Sequence, residues 1–377
     1  MSGQLVSYIA PAAPATRRPA RGDEASLRLE AGFTPAWYRR HLGIDFGERW
    51  HTDVAYRRET VIAMRDELRR RFPGAGIGGS DRPDAPLDLL TGVFGGSPVA
   101  AIFGLPVVYA ADNWPNVEHR YLSQDDMVAL EAPDLDNNLF LNGLLAQVDR
   151  IIAVEGRCEG FINWQGVLNT AQRLRGPDIF LDLYEVPEAC HRFFGIVTTV
   201  MIEATRRLRV RQLASGVDYR FATVSNCSVN MISPVQYAEF LLPCDRRVAE
   251  AFEVVGIHNC AWTADPYLEH YASIPNLGYI DMGLDSDLGR ARKLMPRARR
   301  ALMYTPMDLA NKSEDRIRAD FARIARDYAP CDIVIADIEA GTPDARVRLA
   351  FELCAELSAG LATCDQRLTS PTSQEAF

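Results

Sequence analysis

No run of eighteen or more apolar residues occurs in the chain, so no transmembrane helix is expected. The opening stretch, MSGQLVSYIAPAAPATRRPARGDEAS, has no apolar core of the kind a secretory signal needs. None of the 8 cysteines forms a CxxC pair; they stand singly at 158, 190, 227, 244, 260, 331, 354 and 364. A chain of 377 residues buries enough surface to do without disulfide staples, and a reducing, cytoplasmic setting is the expectation. Basic charge is not in excess: 41 Lys and Arg against 50 Asp and Glu leave a net −9, which excludes a footprint for a phosphate backbone. Neither GxGxxG nor GxxxxGK[ST] follows any apolar segment, which argues against a dinucleotide domain and a P-loop. No repeat of 20 to 50 residues is visible.

What is present is the composition of a globular protein, 47% hydrophobic and 24% charged. Residues 1–32, rich in Ala, Pro and Arg, read as a disordered or loosely attached leader, with order beginning near Phe33. Val61, Met64, Leu68 and Phe72 recur at helical spacing and predict a helix over 54–72. The glycine-rich stretch 89–109 predicts turns and short strands, and Ser123 a helix start. From residue 141 onward short apolar runs alternate with long amphipathic segments. Strands are expected at 160–164, 221–225, 254–258, 278–281, 300–304 and 332–336, with helices at 142–153, 186–208 and 344–360 and one opened by Pro234. That alternation is parallel α/β, and a single TIM (β/α)8 barrel over 33–362 is the simplest architecture. Residues 363–377 read as a polar tail.

The most informative short motif is Ile257-His258-Asn259-Cys260, where an apolar strand ends. Residues i and i+2 of a strand point the same way, so His258 and Cys260 project together from the end where barrel enzymes assemble their sites. Imidazole and thiolate are a good pair of zinc ligands. Asp337 and Glu339, also two apart, close the last strand and offer a third metal ligand; whichever does not bind metal would orient a ligand or serve as a base. Asn226 and Asp281 are further polar groups at strand ends and candidates for the chemistry, and Asp308 is another polar group placed to hydrogen-bond a substrate. Asn163, Gln165, Ser228 and Trp262 are candidates for a substrate pocket, with Tyr267 as a second wall. Cys227 alternates with Asn226 and Ser228, has no base near it in sequence, and reads as a core thiol. Cys331 begins its strand, about 20 Å from the far end, and is a poor ligand. His51, His119, His191 and His270 are left unassigned, and the pairs Arg39-Arg40 and Arg57-Arg58 read as solvated helix faces.

Over residues 33–360 the order of segments resembles the uroporphyrinogen decarboxylase superfamily. The likeness is carried by GVLNTAQRLRG at 166–176, LYEVPE at 183–188, ISPVQYAEFLLP at 232–243, His258-Asn259-Cys260, and Gly341-Thr342-Pro343 with the helix after it. The resemblance implies a single TIM barrel. The decarboxylase branch binds a tetrapyrrole through an arginine-bearing loop, which Thr34-Pro35-Ala36-Trp37-Tyr38-Arg39-Arg40 matches only at its start. The other branch contains zinc methyltransferases with His-x-Cys at a strand end, matching His258 and Cys260. Many of these carry a further Cys before the Thr-Pro; here the segment reads Ala336-Asp337-Ile338-Glu339-Ala340-Gly341, so a carboxylate would replace the thiolate.

The resemblance therefore implies a zinc-dependent methyltransferase working between a corrinoid carrier and a thiol or folate-type acceptor, in demethylation or one-carbon metabolism. The chain has no DxHxxG corrinoid motif, so a corrinoid would arrive on a separate partner protein. A homodimer is compatible with the sequence, and nucleic-acid and membrane partners are not expected. The alternatives are a metal-independent, decarboxylase-like lyase acting on an anionic substrate, and a non-catalytic barrel that binds a metal or a tetrapyrrole.

Overall fold

The computed structural model describes residues 25–82 and 84–369. Eight strands occur among them: β1 (Leu27–Phe33), β2 (Val107–Ala110), β3 (Asn113–Val117), β4 (Phe221–Ser225), β5 (Val254–His258), β6 (Leu277–Gly283), β7 (Arg299–Met303) and β8 (Cys331–Ile338). Six of them form one sheet in the order β1-β8-β7-β6-β5-β4, all neighbours parallel. The separate antiparallel pair β2-β3 is a hairpin. The fold is an α/β TIM barrel in which helices cover the sheet, so strands such as β7 are buried along their whole length. The remaining staves are irregular. Segment 158–166 lies against β4, where the Ser225 N–H donates to the Gln165 carbonyl at 3.2 Å. Segment 87–91 lies against it in turn, the Phe161 N–H donating to Thr91 Oγ1 at 3.1 Å.

The helices form where the periodicity and caps dictate. Helix Val54–Arg71 starts on Asp53, whose carboxylate accepts from the Ala55 and Tyr56 N–H groups, and it ends on three arginines that suit a helix C-terminus. Helix Pro187–Ala214 has proline in its first turn and buries Phe193, Phe194, Val197, Met201 and Leu208. Ser123 and Ser233 each form a capping box.

Three expectations need correction. Order begins before Phe33, because Leu27–Phe33 is the first barrel strand, paired with β8; the rest of the expected leader, residues 1–24, lies outside the described residues. The last helix continues to Thr369, past the point where a polar tail was expected, and residues 370–377 lie outside the described residues. Arg57 is not on a solvated face. It is 0% exposed and donates to the carbonyls of Leu89 and Trp50 and to Gln147 Oε1, tying the helix to three other segments. Arg58 pairs with Glu155.

At the N-terminal end of the strands the buried charges hold elements together. Asp332, 0% exposed, accepts from Arg28 on β1 at 2.9 Å and from Arg299 on β7. Cys331 beside it is fully buried, and burial pushes its thiol far above the usual range.

Candidate metal centre

The opposite end of the sheet gathers the chemistry. Register pairs Ser225 of β4 with His258 of β5. Two residues beyond each strand end stands a cysteine, in Ser225-Asn226-Cys227 and in His258-Asn259-Cys260. Equal register therefore sets Cys227 laterally opposite Cys260. The ligand-bearing atoms of Cys227, His258 and Cys260 lie within 4.8 Å of one another, and among the described residues no other group of three His, Cys, Asp or Glu side chains converges this way.

His258 is buried and held in one orientation. Its Nδ1 lies 2.7 Å from Asp281 Oδ2, so with the carboxylate accepting, Nδ1 carries the proton and Nε2 keeps its lone pair. Asp281 is 0% exposed; it also accepts from the Tyr279 hydroxyl at 3.0 Å and, through Oδ1, from the Cys260 N–H at 3.1 Å. That last bond pins a strained residue. Cys260 has φ +63°, a left-handed conformation that costs a non-glycine residue about 1–2 kcal/mol. Gln165 and Asp337, also at the mouth, share the conformation with φ of +62° and +57°. The Cys260 thiol is pushed well up, first by its hydrogen bond with Cys227 and then by burial.

Behind this layer sits a buttress. The Asn226 N–H donates to the His258 carbonyl at 2.7 Å, and its side-chain amide donates to Asp245 at 2.7 Å. Asp245 also accepts from Tyr237, and burial raises its carboxyl to about 6.

The expected site residues divide accordingly. His258 and Cys260 are brought together. Asp281 touches His258 and positions it. Asn226 is buried, its amide engaged with Asp245 and directed into the scaffold. Asp337 is at the mouth but outside the cluster, its Oδ1 accepting from the Trp114 indole at 3.0 Å. Glu339 is exposed on the turn after β8, where its carbonyl accepts from the Thr342 N–H, and it is outside the cluster. The strand ends at Ile338, so the i, i+2 parity expected for this pair does not hold. Trp262 is 57% exposed, and Tyr267 spends its hydroxyl on the Val229 and Ile232 carbonyls. Asp308 pairs with Lys312.

The residue the sequence argument misplaced is Cys227. Strand alternation would turn it away from Ser228 and into the core, but β4 stops at Ser225 and a 3-10 turn, Cys227–Met231, begins. The repeated x-Asn-Cys at two strand ends was the available signal.

Beside Cys227 opens a polar cavity of about 280 Å³. Gln165 and Ser228 line it, together with Asn116, Asn169, Gln172 and Arg173. Asn169 joins the wall by accepting from the Ser228 N–H and donating to Gln165 Oε1. Asn163 is not among its lining residues; its Oδ1 accepts from the Gln165 N–H at 3.0 Å.

The donor set fits zinc. Two sulfurs and an imidazole nitrogen within 4.8 Å are a spacing that a tetrahedral ion spans with bonds of about 2.0–2.3 Å, and three protein ligands leave a fourth position open. The carboxylate on the far nitrogen of the histidine is the usual partner of a metal-bound imidazole.

The family described as Uroporphyrinogen decarboxylase (URO-D) matches residues 84–342. Among solved structures, a methyltransferase from Methanosarcina mazei is similar with a TM-score of 0.59 and 14% identity, over 89% of this chain and 94% of its own. A B12-independent methionine synthase from Shewanella sp. W3-18-1, in complex with selenomethionine, gives a TM-score of 0.46 and 12% identity over 90% and 99%. No curated protein matches.

Proposed function

The chain belongs to the uroporphyrinogen decarboxylase family, and within it we propose a zinc-dependent methyltransferase that moves a methyl group between a corrinoid on a separate protein and a thiol or folate-type acceptor. The observation that supports this reading is the convergence of Cys227, His258 and Cys260 at the barrel mouth. These three side chains would hold the ion. Bound there, zinc supplies Lewis acidity that keeps a substrate thiol deprotonated at neutral pH.

The chain's own residues do the rest. Asp281 fixes the tautomer of His258 and, through the Cys260 N–H, the backbone turn that carries the second sulfur. Tyr279 holds Asp281 in turn. Asn226 and Asp245 support the β5 end from below, so the three donors are set before a ligand arrives. Gln165 and Ser228 offer hydrogen bonds to an acceptor lying in the adjoining cavity. A metal-independent lyase gives no account of two cysteines and a carboxylate-bound histidine meeting at one point.

Free methylcobalamin with a small thiol or tetrahydrofolate tests the reading, with demethylation followed by visible absorbance. Zinc-loaded protein is expected to accelerate loss of the methyl group, and the His258→Ala variant to abolish that acceleration. Equal rates with and without zinc-loaded protein, for both acceptors, contradict the proposal.

A further inference from the structure

Resting on the metal-site reading, we propose that the cavity beside Cys227 is the acceptor subsite and that it recognises a small carboxylate through Arg173. Arg173 is half-buried in the cavity wall, and burial lowers its pKa, an effect that the sulfur of Cys227 partly offsets. Among the described residues no carboxylate pairs with it; its hydrogen bond goes to the neutral side chain of Asn116. The rest of the lining supplies no carboxylate: Gln165, Asn169, Gln172 and Ser228 are uncharged, as are Asn116, Val117 and Tyr121, and His119 is a base. A cation turned into a cavity without a counterion is an incomplete pair, and a guanidinium completes it best with a planar carboxylate bound by two N–H groups.

Size narrows the class. A cavity of 150 Å³ holds benzene, so about 280 Å³ accommodates roughly a dozen heavy atoms, far short of a tetrapyrrole. Position sets the other end of the molecule. Ser228 lines the cavity and follows Cys227 directly, so an occupant anchored on Arg173 extends toward the sulfur cluster. The acceptor class is a short carboxylate bearing its methyl-accepting heteroatom a few bonds from the carboxylate. Neutral amides flanking the arginine admit the ligand without repelling it, and the Ser228 hydroxyl, held by Gln172 at 2.8 Å, gives a fixed wall.

The test compares 3-mercaptopropionate with its neutral amide, titrated calorimetrically into zinc-loaded wild type, Arg173→Gln and Arg173→Lys. The carboxylate is expected to bind wild type roughly 10- to 100-fold more tightly than the amide, the range of a charge-assisted pair. Arg173→Gln should remove that preference without weakening the amide, and Arg173→Lys should keep part of it. Equal affinities in wild type, no binding of either probe, or an intact preference in Arg173→Gln overturns the proposal. Zinc content of the same samples separates the two readings. A protein that holds zinc but does not discriminate contradicts the carboxylate subsite alone. A protein without zinc contradicts the metal reading, and butyrate against butanamide then decides on Arg173 by the same outcomes.

Discussion

The two ends of the barrel sheet use the same residue types for opposite purposes. At the N-terminal end, Asp332 is enclosed by Arg28 and Arg299 and Cys331 is buried out of reach, so charge and sulfur are consumed in joining β1, β7 and β8. At the C-terminal end, Asp281 holds a histidine that converges with two cysteines, one of them strained, and an open polar cavity adjoins them. Pairing that joins strands stabilises the protein; metal-type donors converging beside an open cavity mark where a ligand belongs. Barrels commonly divide stability and chemistry between these two faces.

The sharpest way to break the contrast is to remove sulfur from each end. Cys260→Ser and Cys227→Ser should each lose most bound zinc and nearly all methyl transfer while leaving the circular-dichroism spectrum and melting curve close to wild type. Cys331→Ser should leave metal content unchanged. Next in size is the charge at the lower end. Asp332→Ala leaves Arg299 buried without a partner and should cost about 3–5 kcal/mol in denaturant unfolding, with zinc stoichiometry intact.

A third test uses pH. Asp88, in the irregular segment against Gly160, is fully buried with Oδ2 unpartnered, and burial raises its carboxyl to about 6. Its folded value lies above the unfolded one, so its stabilising contribution is complete below about 4 and is lost as pH rises through 6. Asp88→Asn keeps an acceptor for the Leu90 and Thr91 N–H groups and should flatten the stability profile across that window. At pH 8 it should be more stable than wild type by up to about 3 kcal/mol. The smallest expected effect is the most specific to the mouth. Asp281→Asn should weaken zinc by roughly 10- to 100-fold in chelator competition, because the tautomer of His258 is no longer enforced.

The sequence carried the barrel well where its strands are buried on both faces. Runs such as 254–258 and 332–336 fall within observed strands because an apolar stretch between helices has few other fates. It failed where segments are irregular. Residues 160–164 run as a stave without strand hydrogen bonding, and Leu27–Phe33 was concealed by its alternating charged residues, Arg28 and Glu30. At the mouth, His258 and Cys260 were legible because they leave one strand end together. Cys227 was not, since its orientation depends on where β4 stops. Its partner in space is fixed by the register between β4 and β5, a tertiary property that one-strand parity does not contain.

The central claim is that Cys227, rather than the Glu339 carboxylate beyond the last strand, completes the metal site. Elemental mass spectrometry of purified wild type, Cys227→Ser and Glu339→Gln decides it. The account predicts about one zinc per chain in wild type and in Glu339→Gln, and little in Cys227→Ser. Full zinc occupancy in Cys227→Ser, or loss of zinc in Glu339→Gln, would contradict it.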